Sequence, residues 1–220
     1  MNTANHHLVI TIHGIRTLGQ WQDRLDKLLR LSDPGIRTYN YRYGYFSILA
    51  FMIPFLRWLV TRRFRNELEI VLCEQQWDRI DIVAHSFGTH LAGWALRKVP
   101  LEKRKAIHTI LFAGSVLKSD FAWRNLLEGQ TTRVVNECGI RDSVLVWNQL
   151  FILFSGMAGR VGFTGMTSER LVNRYHNIGH SGYFLHAGNL SDEFMKQNWI
   201  PLLTTTTPPL ECDERQVPSP

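Results

Sequence analysis

One serine stands at the junction of an apolar run and a helical pattern, between small residues, in Asp81-Ile82-Val83-Ala84-His85-Ser86-Phe87-Gly88-Thr89-His90-Leu91-Ala92. Ile80 to Ala84 reads as a buried strand, and Leu91, Trp94, Ala95 and Leu96 recur at helical spacing. Ser86 therefore falls on a sharp strand-to-helix turn. Such a turn lifts a hydroxyl above the strand ends. It also aims the Phe87 N–H, at the start of a helix, toward developing negative charge. Small residues at Ala84 and Gly88 suit the crowding that this geometry imposes. The chemistry to expect is nucleophilic attack by Ser86 on an electrophilic carbon.

The spacing Ala84-x-Ser86-x-Gly88 resembles the G-x-S-x-G nucleophile elbow, with alanine in place of the first glycine. A second loop, His13-Gly14-Ile15-Arg16, follows the strand-like run Leu8 to Ile12. An HG loop after an early strand, with a later serine elbow, resembles the α/β-hydrolase superfamily, in particular bacterial lipase-like members with HGIR near the start and GHS near the end. The resemblance covers roughly residues 8–200. It implies that the early loop supplies a second oxyanion N–H, which falls on Ile15, with Arg16 as the competing donor. Gly14 lets the backbone approach closely, and His13 is expected to be structural.

A serine hydroxyl needs a histidine base, itself oriented by a carboxylate. Of nine histidines, His180 is best placed, in Asn177-Ile178-Gly179-His180-Ser181-Gly182-Tyr183, after the last expected strand and between glycines. His176 and His186 are the alternatives. His6 and His7 are expected in a loose N-terminus, and His85 is expected to pack within the elbow. The order serine, acid, histidine that the resemblance implies is completed by Asp142, in the loop after Thr132–Cys138; Asp120, one loop earlier, is the runner-up. Asp142 is equally placed to cap a helix over 143–150.

The elements that must position these residues alternate along the chain. Strands are expected near 8–12, 36–43, 80–84, 107–113, 132–138 and 171–178, with helices near 19–31, 64–72, 91–96, 121–127, 143–150 and 191–199. That alternation implies a three-layer α/β/α sandwich with a mainly parallel sheet, which is the α/β-hydrolase fold. One domain over residues 1–203 is expected, followed by a loose Thr- and Pro-rich tail over 204–220.

The stretch Tyr45 to Val60 is apolar but broken by Pro54 and Arg57, too short for a membrane span. With Arg62, Arg63 and Arg65 beside it, the insertion at 44–65 is expected to form a cap, a lid or an oligomer contact, with peripheral membrane contact through 45–65 as one use. A second greasy stretch, 144–163, lies between the proposed acid and base. Two apolar walls suggest a hydrophobic or lipid-like ester substrate.

The net charge is +6, without a nucleic-acid-binding module to accompany it, so no nucleic-acid partner is expected. Cys73, Cys138 and Cys212 form no CxxC pair, and neither a zinc site nor a disulfide framework is indicated; Cys73 and Cys138 are expected in the core. The N-terminus shows no basic leader or cleavage site, which points to a cytoplasmic location. The expected activity is hydrolysis of a carboxylic ester through an acyl-enzyme, without metal or organic cofactor. A thioesterase, amidase or acyltransferase on the same residues, and a catalytically silent binding module of this fold, are the alternatives.

Overall fold

The computed structural model describes residues 6–14, 19–42, 53–127, 133–145, 156–164, 170–186 and 188–216. Six strands form one sheet: β1 (His7–Ile12), β2 (Arg37–Tyr41), β3 (Arg79–His85), β4 (Ile107–Ala113), β5 (Arg133–Gly139) and β6 (Leu171–His176). Their spatial order is β2-β1-β3-β4-β5-β6, and each neighbouring pair is parallel. The described helices are α1 (Gln20–Ser32), α2 (Pro54–Cys73), α3 (Phe87–Leu96), α4 (Arg124–Leu127) and α5 (Ala158–Val161). A π-helical turn, Met195–Trp199, runs into α6 (Ile200–Thr204). A two-residue hairpin, β7 (Leu185–His186) and β8 (Asn189–Leu190), lies outside the sheet.

The strands are apolar on both faces because helices cover both. Ile10, Ile82, Phe112 and Val134 join one core with Phe64, Leu68 and Leu91 of α2 and α3. Val9, Val83, Leu111 and Val135, one residue along in each strand, join a second core with Trp21, Leu25 and Leu29 of α1 and with Trp199. The two-residue period of a strand divides the sheet's side chains between these layers. The result is the expected three-layer α/β/α sandwich.

From β1 the chain crosses to β2 at one edge, then returns through α2 to β3 and proceeds to β6 at the other edge. The direction of travel reverses between β1 and β3. A crevice opens at such a switch point, beyond the carboxyl ends of the two strands. The loops leaving β1 and β3 are those that carry Gly14 and Ser86.

Several expectations change on contact with the structure. His7 is the first residue of β1, buried, and its Nε2 donates to Asp81 Oδ2 at 2.9 Å. Cys73 is exposed, because it ends α2 beyond the buried stripe Phe64, Leu68, Val71 and Leu72; Cys138 is buried as expected. Of the insertion at 44–65, 44–52 lies outside the described residues, Ile53 precedes the long helix α2, and 54–65 is its first part. In the second greasy stretch, 146–155 lies outside them, while Ala158 and Phe163 belong to the core. Where a loose tail was expected, Thr205 and Thr207 accept from Arg79 and Arg133, and Asp213 bridges in parallel to Tyr175 of β6. No helix among the described residues is long and apolar enough to cross a membrane.

Candidate active site

Ser86 joins β3 to α3. It is the one non-glycine residue with positive φ among the described residues, at φ 54° and ψ −124°. A side chain in that region costs on the order of 1–3 kcal/mol, so the surroundings must hold it there. They do so through hydrogen bonds: the Ser86 N–H donates to the Ala113 carbonyl at 3.0 Å. Its carbonyl accepts from the Thr89 N–H at 3.0 Å and the Thr89 hydroxyl at 2.7 Å. That hydroxyl in turn accepts from the Val116 N–H at 3.1 Å, tying the elbow to the loop after β4.

The β1 end presses against the elbow. A Cβ on Gly88 would stand 2.4 Å from the Ile12 carbonyl oxygen, and one on Gly14 would stand 2.7 Å from Ser86 Cβ and 3.2 Å from its Oγ. Glycine at both positions is therefore a steric requirement. Phe87 begins α3 and is buried. Gly14 lies beside Ser86, while Ile15 and Arg16 lie outside the described residues. His13 donates from Nδ1 to the Gly14 carbonyl at 2.6 Å, a structural role.

His180 stands in the turn after β6. Ser86 Oγ donates to His180 Nε2 at 2.9 Å, and His180 Nδ1 donates to Asp142 Oδ2 at 2.7 Å. Asp142 is fully buried, and its other oxygen accepts the Leu145 N–H at 3.1 Å. The capping role and the histidine-orienting role are thus filled by one carboxylate, one oxygen each. Asp120 is exposed in the loop after β4, and His180 points its Nδ1 to Asp142. His176 is turned to Glu137 at 2.6 Å, and His186 is exposed in the small hairpin.

A serine on a strained strand–helix turn after β3, an acid after β5 and a histidine after β6 stand at the carboxyl ends of one parallel sheet. This placement is the one that the resemblance to the α/β-hydrolases implies. No family model matches the chain, and no curated protein does. Solved structures similar to it include a cutinase-like protein from Cryptococcus sp., with 15% identity over 86% of this chain and 85% of that one, at TM-score 0.38. A YdeN-like hydrolase from Pectobacterium atrosepticum has 14% identity over 90% and 88%, at TM-score 0.43. An extracellular α/β-hydrolase from a Paenibacillus species has 15% identity over 82% and 84%, at TM-score 0.40.

Tyr183 and Gly114 escaped the sequence reading, and His85, expected to pack within the elbow, does so with a hydrogen bond that reading did not foresee. His85, fully buried, donates from Nε2 to the His180 carbonyl at 3.0 Å. Burial, with the neighbouring His180 imidazole, holds His85 down to about 3, so it stays neutral beside the base. Tyr183 accepts the Gly114 N–H at 3.1 Å and donates to the Glu137 carbonyl at 2.9 Å, joining the ends of β4 and β5 to the His180 turn. Burial pushes its phenol well up, which keeps that donor. Gly114, at φ 56°, lies under the pair: a Cβ there would stand 3.1 Å from His180 Nδ1. His85 was conspicuous by position beside Ser86, but nothing in its neighbours told where its ring points.

A cavity of about 510 Å³ lies between α2 and α3, lined among others by Arg57, Trp58, Arg62, His90 and Trp94. It includes none of Ser86, Asp142 and His180. His90 is half-buried there and held down to about 3, chiefly by desolvation and further by Arg57.

Proposed function

We propose that this chain is a serine hydrolase acting on carboxylic esters. The observation that carries the reading is the unbroken relay from Ser86 Oγ through His180 to Asp142, at 2.9 and 2.7 Å, built on a strained elbow. Ser86 Oγ attacks the carbonyl carbon while His180 Nε2 takes its proton. Asp142 keeps the imidazole in the tautomer that accepts at Nε2 and stabilises its charged form. The Phe87 N–H, with a donor from the loop 14–16 (Ile15 or Arg16), holds the oxyanion. His180 then returns the proton to the leaving alcohol, and water repeats the sequence to release the acid.

A hydrophobic acyl group is the substrate we infer. Ile53, Phe55, Trp58 and Leu59 are exposed at the N-terminal end of α2, and Arg62, Arg63 and Arg65 follow within two turns. Such a face suits an anionic lipid surface, at about 1 kcal/mol for each basic residue near it. The test is hydrolysis of p-nitrophenyl esters of increasing acyl length by wild type and Ser86→Ala, with thioester and amide analogues alongside. The reading expects turnover that rises with chain length, favours the oxygen ester and vanishes in the variant. Preference for the shortest ester overturns the hydrophobic substrate; turnover that survives Ser86→Ala overturns the mechanism.

A further inference from the structure

Away from the relay, the C-terminal segment brings a second set of chemistry-bearing residues to the far edge of the sheet. Asp213 bridges in parallel to Tyr175, and the Tyr175 N–H donates to the Cys212 carbonyl. The bridge puts Cys212 on the same face as His176, and the 3₁₀ turn Glu214–Gln216 that follows brings the Glu214 carboxylate to the same ring. Arg215, in the same turn, lies over the Tyr175 ring at 3.6 Å. His176 Nδ1 is 3.9 Å from Cys212 Sγ and 3.6 Å from Glu214 Oε1, and all three ligand atoms lie within 4.8 Å of one another.

The other ring nitrogen of His176 is already committed. Glu137 of β5 is fully buried, and its Oε2 stands 2.6 Å from His176 Nε2. A carboxylate only accepts, so the ring donates from Nε2 and turns its Nδ1 lone pair toward Cys212 and Glu214. A carboxylate on one ring nitrogen and ligand-type atoms facing the other is the arrangement that orients metal-bound histidines. A cation on Nδ1 would also give the buried Glu137 a polarised donor, which a buried carboxylate requires. Arg174, on the same face, stands 3.5 Å from the same Glu137 oxygen and donates to Asn198, so its charge faces Glu137 and is turned away from Cys212 and Glu214 only in part. The Phe194 ring packs edge-on against His176 at 4.8 Å and shields one side.

We propose that His176, Cys212 and Glu214 bind one divalent zinc-type ion, with Glu137 positioning the histidine and water in the fourth place. A nitrogen, a thiolate and a carboxylate oxygen suit tetrahedral zinc. On binding, the Cys212 thiol loses its proton to solvent and the sulfur bonds the metal. The ion staples the C-terminal segment to β6, four residues before His180. His176 and Cys212 are 36 residues apart in sequence, and no spacing motif signals the site.

The test is metal retention by the tag-free full chain, stripped with chelator, reloaded with zinc or cobalt under reducing conditions and freed of excess by gel filtration. One equivalent of zinc per chain is expected. With cobalt, a near-ultraviolet thiolate charge-transfer band and the strong visible bands of a four-coordinate ion are expected. Cys212→Ser removes the charge-transfer band, and Glu137→Gln weakens binding about 10–100-fold. Zinc raises the Tm of wild type and not of Cys212→Ser. Glu214→Gln, at a half-exposed position, loses affinity in a folded chain and serves if another variant fails to fold. A folded wild type that retains no metal overturns the proposal, as does equal retention by wild type, Cys212→Ser and Glu214→Gln.

Discussion

His85 donates its Nε2 proton to the backbone carbonyl of His180 at 3.0 Å, and the two rings lie 4.9 Å apart. The residue before Ser86 thus holds the main chain of His180, through a ring that burial keeps neutral. Replacing it by His85→Phe fills the volume and removes the donor. The His180 turn is then free to shift, and a displacement of about 1 Å at a base can cost on the order of 100-fold. We expect Ser86 acylation to slow by that order while circular dichroism and the thermal transition stay near wild type. Wild-type acylation in a folded His85→Phe chain would remove the positioning role.

Asp142 divides its carboxylate between His180 and the Leu145 N–H. Asp142→Asn keeps an oxygen for the cap, so stability should fall little, while the wrong tautomer of His180 should lower activity by about 10⁴-fold. Asp142→Ala should lose about 1 kcal/mol of stability in addition. Asp120→Asn should leave both unchanged. Activity and denaturation measured on the three variants separate the two roles.

The roles of these side chains were legible in the sequence to different degrees. The elbow could be read because strand, small residue, serine, small residue and helix are contiguous, and the sheet because apolar runs alternate with helical stripes. Asp142 and His180 came from position after strands together with the order serine, acid, histidine that the resemblance implies; the register of β5 and β6 brings the two loops side by side. Tyr183, Gly114 and the Glu137–His176 pair depend on contacts across different strands, to which no local pattern points. His7 and the C-terminal segment looked loose because their partners, Asp81 and β6, are remote in the chain.

Gly114 passes under the base with positive φ. Gly114→Ala should cost about 1 kcal/mol for the backbone conformation alone. Its added methyl meets His180 Nδ1, so the relay should open and acylation should fall at least tenfold. Denaturant unfolding with parallel activity measurement checks both; a stable, fully active Gly114→Ala would show that the contact does not constrain the base.

One buried and one half-buried histidine should make stability fall in acid. His85 and His90 are each held down to about 3 in the folded chain, first by burial. Unfolding restores the ordinary value near 6.5. Above that pH both states are neutral at these sites. Below it the unfolded chain takes up protons that the folded chain refuses, so stability falls as pH drops from about 6.5 toward 3. Denaturant unfolding at pH 7.5 and pH 5 should show this drop, and His90→Phe should show a smaller one. An equal drop in the variant would place the acid sensitivity elsewhere.

The most direct measurement is intact-mass and peptide mapping after reaction with a fluorophosphonate, on wild type, Ser86→Ala and His180→Ala. The account predicts one adduct per chain, located on Ser86, absent from Ser86→Ala and strongly slowed in His180→Ala. A folded wild type that forms no adduct, with or without detergent and liposomes, or an adduct that maps to another residue, would contradict it.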